Sequence, residues 1–247
     1  MGSIFNTILY QPILNLLVFF YNSIGHDMGV SIIIVTVLVR LVLVPSFAKS
    51  LRSQRALQNI QPEIDALREK YKDNPEKQSK EMMAFYKNNK INPLSSCLPL
   101  VIQLPILLAL YRVILNLQHF DAGQLYHFIA NPVTINAISL HFINIMKPNL
   151  PLAALAGLAQ FWQSWMLLRK PKTEKPKEKK PADAASMTNA ISRQMTYLFP
   201  VMTIIISIKL PAGLPMYWLA TTLFAIGQQY YIFKTKPKSK PEALKPA

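Results

Sequence analysis

Acidic residues are scarce in this chain, and scarcest where they would be most informative. Twelve Asp and Glu stand against 27 Lys and Arg in 247 residues, a net charge of +15, and no acid falls inside any long apolar run. Proton- and cation-coupled transport ordinarily rests on intramembrane carboxylates, so that class is set aside. Cysteine is nearly missing: Cys97 stands alone, which excludes an internal disulfide. Only seven glycines occur, against 19 prolines. Several prolines (45, 93, 148, 151, 211) sit at edges of the apolar runs, where a missing N–H costs little. No positively charged leader with a small-residue cleavage site precedes the first apolar run, so no secretory signal is expected. No cysteine near the N-terminus suggests a lipid anchor.

Against these absences, 51% of the residues are hydrophobic. Five runs approach the roughly 20 residues that cross a bilayer: 29–48, 94–117, 149–168, 194–210 and 213–233. The expected class is an all-α polytopic membrane protein with five transmembrane helices. The cations are segregated: ten Lys and Arg in 49–92, eight in 169–193 and five in 234–247. Five crossings put all three segments on one side, and the excess of cations assigns that side to the cytoplasm, N-out and C-in. The loop 118–148 then lies outside. It carries His119, His127 and His141 without metal-ligand spacing, and neither a catalytic motif nor a cofactor site is expected anywhere in the chain. Residues 4–24 are apolar but broken by Asn6, Gln11, Pro12 and Asn15. They read as an interfacial helix on the outer surface within 1–28, or as a sixth span; the loop charges permit both, and the interfacial helix is the expectation.

The segment 49–92 reads as a soluble two-helix hairpin. Leu57, Ile60, Ile64, Leu67 and Tyr71 form one apolar stripe at helical spacing. Pro62 with Glu63 and Asp65 marks a helix start, and Pro75 the first residue of a second helix bearing Met82, Met83, Phe85 and Tyr86.

One residue breaks the pattern of the first span. Arg40 lies within "IIIVTVLVRLVLVP", where a charge costs a few kcal/mol or more. No span offers an acid to pair with it, and Asp27 is about 20 Å away along the helix. Arg40 is therefore expected to meet water, a lipid phosphate, backbone carbonyls or an arriving negative group, in a hydrated cavity open to the cytoplasm. Its depth, about 13 Å before Lys49, argues against snorkelling. Thr36, one turn earlier on the same face, Gln103, Gln160, Tyr217, Trp218, Gln228 and Gln229 are the polar and amphipathic residues available to line it. Taken singly, each also fits a helix–helix hydrogen bond, and Trp218 an interfacial anchor.

The stretch "SIIIVTVLVR", the basic hairpin, "MMAFYKNNKINPLSSCLPLVIQLPILLALY" and "MTYLFPVMTIIISIKLPAGLPMYWLATTLFAIGQQYYI" together resemble the YidC family of membrane protein insertases, from about residue 10 to 233. The resemblance implies five spans, N-out and C-in, in the bacterial inner membrane. It also implies a hydrophilic groove open to the cytoplasm and the lipid and closed to the outside. The groove arginine corresponds to Arg40, and the groove's polar and aromatic positions to Thr36, Gln160 and Trp218, with Tyr217 beside it. The large periplasmic domain and extra N-terminal span of Gram-negative members, and the lipobox cysteine of many Gram-positive ones, are not in this sequence.

The implied activity is insertion and folding of nascent membrane proteins, with Arg40 attracting acids of the translocated segment. Competing readings are a non-catalytic assembly scaffold or ribosome receptor, and an anion channel through Arg40. The proline-spaced lysine runs "RKPKTEKPKEKKP" and "KTKPKSKPEALKP" suit polyanions, either ribosomal RNA or anionic lipid headgroups. The Sec translocon and the signal recognition particle pathway are further implied partners. A groove reachable in one copy fits a monomer.

Overall fold

The computed structural model describes residues 3–89, 91–92, 95, 98–117, 121–168 and 197–234. The basic segment 169–193, the start of the expected fourth span at 194–196, and the tail beyond Lys234 lie outside the described residues. The chain is mostly helical. A lead-in over residues 3–10, with a wide turn at Asn6–Tyr10, runs into α1 (Gln11–Ser23). Then follow α2 (Met28–Asn59), α3 (Gln61–Lys70), α4 (Pro75–Asn88) and α5 (Leu98–Leu115). A short antiparallel hairpin of β1 (Ile138–Ser139) and β2 (Ile143–Asn144) pairs Ile138 with Asn144 and Ser139 with Ile143. The chain continues as α6 (Leu150–Leu168), α7 (Tyr197–Ser207) and α8 (Gly213–Lys234).

α2 runs well past the span expected at 29–48. Its apolar stretch gives way to "AKSLRSQRALQN", polar but rich in helix formers, and nothing stops the helix before the turn at Ile60 ahead of Pro62. Pro45 therefore lies inside a 32-residue helix rather than at a span edge. At 1.5 Å per residue this helix is about 48 Å long, and its polar last turns carry the α3–α4 hairpin. That hairpin closes as its sequence suggests: the Asn74 side chain caps α4 by accepting from Lys77 N at 3.0 Å, and Gln78 Nε2 donates to Arg68 O at 2.8 Å. Ile60 and Ile64 are its buried residues.

α2 and α8 run parallel. Near their first turns, a Cβ on Gly213 would touch Ile32, and one on Gly29 would collide with Ser139 and lie 2.9 Å from Met216 Sδ. Near their last turns, Arg55 Nη1 donates to Phe233 O at 3.3 Å and its guanidinium carbon lies 4.4 Å from the centroid of the Phe233 ring. α5 returns in the opposite sense, bringing Ile114 to Gly213. Gly157 lets α6 approach α7 closely, since a Cβ there would strike Ile204 and reach Pro200 O at 3.2 Å, the role small residues play between membrane helices.

The apolar core occupies one end of this bundle. It gathers Leu14, Leu17 and Val18 of α1, Met28, Ile32 and Val35 of α2, Leu110, Val113 and Ile114 of α5, and Leu214, Met216 and Tyr217 of α8. The loop 121–148 covers that end. Asp27 fastens it, capping α2 through Val30 N at 3.0 Å while accepting from Ser139 Oγ at 2.6 Å and Leu140 N at 2.7 Å. Burial alone would raise the Asp27 carboxyl, but the hydrogen bonds outweigh it and hold the group below its ordinary value. Backbone bonds from Gly213 N to Ile145 O and Ala212 N to Lys147 O, both 2.9 Å, join the loop to the start of α8.

Candidate functional site

The buried faces of α2 and α8 change character in the same direction. On α2, Met28, Ile32 and Val35, with Ser31 the one polar side chain among them, give way to Thr36, Arg40 and, beyond Phe47, Ser50. On α8, Leu214, Met216 and Tyr217 give way to Thr221, Thr222 and Gln229. Because the helices are parallel, the polar halves meet.

Arg40 is 8% exposed and sits where they meet. Its Nε donates to Thr221 Oγ1 at 2.6 Å, and Nη2 donates to Gln103 Oε1 at 3.2 Å. The Phe47 ring lies 4.3 Å from the guanidinium carbon, a contact that partly offsets lost hydration. Since arginine only donates, Gln103 must turn its oxygen toward Arg40. Its amide nitrogen then donates to the Tyr217 hydroxyl, extending the chain of bonds from α2 through α5 to α8. Arginine has five N–H donors, of which Thr221 and Gln103 take two. No carboxylate reaches Arg40 among the described residues, where the sole ion pair is Lys72–Glu69.

Of the two neutral side-chain acceptors that Arg40 has, Gln103 was among the residues expected around it and Thr221 was not. Thr221 escaped notice because a threonine in an apolar helix is unremarkable in sequence; the doublet Thr221–Thr222, one turn beyond Tyr217, was the available signal. Gln103 and Tyr217 join Arg40 as the sequence reading grouped them. Thr36 is buried on the same face, but its hydroxyl donates to Ile32 O at 2.6 Å. Gln228 Nε2 donates instead to Val44 O at 3.0 Å, beside Pro45. Trp218 is half-buried against the apolar core. Gln160 is half-buried on α6 and makes no hydrogen bond to the Arg40 cluster. A cavity of about 20 Å³ beside Thr36 and Tyr217, otherwise lined by aliphatic residues, has room for about one water. Further along α8, Gln229 is 1% exposed and neither of its amide atoms has a hydrogen-bond partner among the described residues.

The family model described as 60Kd inner membrane protein matches residues 19–240. The chain is 31% identical over 230 residues to "Membrane protein insertase YidC" of Fusobacterium nucleatum, covering 92% of this chain and 97% of that one. It is 30% identical to "Membrane protein insertase MisCA" of Bacillus subtilis, covering 95% and 81%. Some relatives are much longer: the match to the YidC of Pelobacter propionicus, at 32% identity, spans 92% of this chain but 39% of that one. Among solved structures, an active YidC insertase crystal structure with its first transmembrane domain resolved superposes with a TM-score of 0.60 at 22% identity. That match covers 93% of this chain and 47% of the other, and it shows the likeness of fold. The chain belongs to the YidC family of membrane protein insertases, the family described as the 60Kd inner membrane protein.

Proposed function

We propose that this chain is a membrane protein insertase of the bacterial inner membrane that receives nascent membrane proteins at Arg40. The observation that carries the reading is a buried arginine whose hydrogen-bond partners among the described residues are all neutral, in a chain that matches 97% of the length of a relative named as an insertase. A cation held this way keeps its net charge unanswered, so a carboxylate on an entering segment is attracted to it. The acceptors on α5 and α8, Gln103 and Thr221, hold the guanidinium in place without neutralising it. The Gln229 amide, buried without a protein partner, supports water reaching the polar half of the bundle.

The proposed topology is five crossings by α2, α5, α6, α7 and α8, N-out and C-in, with α1 on the outer surface and the α3–α4 hairpin in the cytoplasm. By length and composition, Met28–Asn59 alone among the described helices is sufficient to cross a membrane; Val101–Leu115 and Tyr197–Ser207 are apolar but shorter. Large apolar side chains exposed on α5, α6 and α7, among them Val101, Leu158, Trp162 and Ile205, support a lipid-facing surface. α1 touches the loop 121–148 at both ends. Asn15 Nδ2 donates to Gln124 O at 2.9 Å and Asn22 Nδ2 to Ala130 O at 2.7 Å, which favours a helix lying along the outer face over one crossing away from it. The segments 169–193 and 234–247 are proposed as cytoplasmic contacts for ribosomal RNA and anionic lipid, with the Sec translocon and signal recognition particle pathway as further partners and a monomer as the working unit.

Liposomes containing this chain as their sole protein test the activity. A short single-span substrate with an acidic translocated tail, released from ribosomes, should become protected from external protease. Protection no greater than in protein-free liposomes would refute the assignment.

A further inference from the structure

The lower half of α2 carries a second feature that the Arg40 cluster does not use. Leu38, Leu41, Val42, Pro45, Lys49 and Arg52 recur at helical spacing, and all six are exposed. Val42 is the most open of the large apolar ones, at 77%. The stripe is apolar for its first four members and cationic for its last two. From Leu38 to Lys49 is about 16 Å of helix, close to the roughly 15 Å depth of one leaflet's hydrocarbon. Where the stripe turns cationic, Lys49, Arg52, Ser53 and Ala56 of α2 and Ile91 of the returning chain enclose a cleft of about 250 Å³.

The two cations there are uncommitted. Arg55, one residue outside the cleft, is held by the carbonyl and ring of Phe233 at the end of α8. Lys49 and Arg52 have neither an ion pair nor a hydrogen-bond partner among the described residues. A paired cation and guanidinium with an adjacent hydroxyl suit a phosphate diester. The apolar stripe leading to them suits an acyl chain and has no use for a soluble anion.

We propose that this face of α2 binds one anionic phospholipid, its phosphate between Lys49, Arg52 and Ser53 and an acyl chain along Val42, Leu41 and Leu38. The site rests on the cytoplasmic placement proposed above for this end of α2, but it is read by lipid retention and not by insertion, so each can fail alone. A lipid held here would fix the depth at which α2 carries Arg40 in the bilayer.

The test is native mass spectrometry of the full chain from nanodiscs of phosphatidylcholine with a minor fraction of phosphatidylglycerol. The wild type should retain one phosphatidylglycerol in preference to phosphatidylcholine. Lys49→Gln with Arg52→Gln should reduce that retention about tenfold or more, since each basic group near an anionic surface contributes about 1 kcal/mol. Lys49→Arg with Arg52→Lys should keep it. Val42→Gln, which leaves the charge unchanged at an exposed position, should weaken it as well, as an acyl contact requires. Undiminished retention in the double glutamine variant would overturn the proposal. So would displacement of the lipid by millimolar inorganic phosphate, or by an RNA oligonucleotide, either of which would make the cleft a site for soluble anions.

Discussion

Arg40 Nε lies 2.6 Å from Thr221 Oγ1, a bond between residues 181 positions apart that ties the first long helix to the last. It places the one buried charged side chain among the described residues against a hydroxyl, where its field is steadied but not cancelled.

That bond should be visible as coupling. Thr221→Val keeps the shape and removes the acceptor, and it should destabilise the protein by about 1–3 kcal/mol, the usual cost of leaving a buried group unsatisfied. In an Arg40→Ala background the same substitution should cost less than about 0.5 kcal/mol, because the donor is gone. Denaturant unfolding in detergent of the four proteins of this cycle measures both numbers. Equal costs in the two backgrounds would mean the bond carries no energy.

Gln229 gives the opposite sign. Its amide is buried without a protein partner, so Gln229→Leu should be neutral or stabilising. If water occupies that position, the substitution should also slow the reaction of a cysteine at position 103 with an impermeant thiol reagent added from the cytoplasmic side. The background for this measurement is Cys97→Ser, which removes the native thiol. An unchanged labelling rate would separate Gln229 from the path of water.

The latch at Asp27 between α2 and the loop 121–148 predicts a pH dependence. Its folded pKa lies below the ordinary value, so the ionised carboxylate contributes stability above the unfolded pKa of about 3.9. That contribution is lost as pH falls through the folded value. Melting temperatures below pH 4 should decline less steeply in Asp27→Asn than in the wild type. Gly29→Ala should behave similarly, because a methyl group there displaces Ser139 from the carboxylate. Parallel pH profiles for Asp27→Asn and wild type would remove the latch from the account.

The sequence was most legible where one physical rule dominates. The longest apolar run falls on a helix, and Pro62 and Pro75 fall in the first turns of α3 and α4, because burial and missing backbone donors act locally. α2 continues beyond its apolar stretch because the end of an apolar run does not oblige a helix to stop. In the site, Arg40 announced itself by its cost, and Gln103 and Tyr217 by polarity within apolar runs. Thr221 did not, since a hydroxyl can satisfy itself within its own helix and only the parallel packing of α2 on α8 turns it toward Arg40. The same packing explains why Gln228 serves the Val44 carbonyl rather than the arginine: it lies nearly two turns beyond Thr221.

The central claim is that Arg40 acts through its charge. In the proposed topology Arg40→Ala removes a cation that costs a few kcal/mol within the bilayer, so the variant should accumulate normally, and Arg40→Lys should retain much of the activity because charge, not the guanidinium fork, is what an arriving acid meets. The deciding measurement is insertion of paired substrates, identical except that the translocated tail carries Asp and Glu or their amides, by wild type, Arg40→Lys and Arg40→Ala at matched protein levels. The account predicts that Arg40→Ala loses the acidic substrate and largely spares the neutral one, with Arg40→Lys close to wild type for both. Equal loss of acidic and neutral substrates in Arg40→Ala would contradict it.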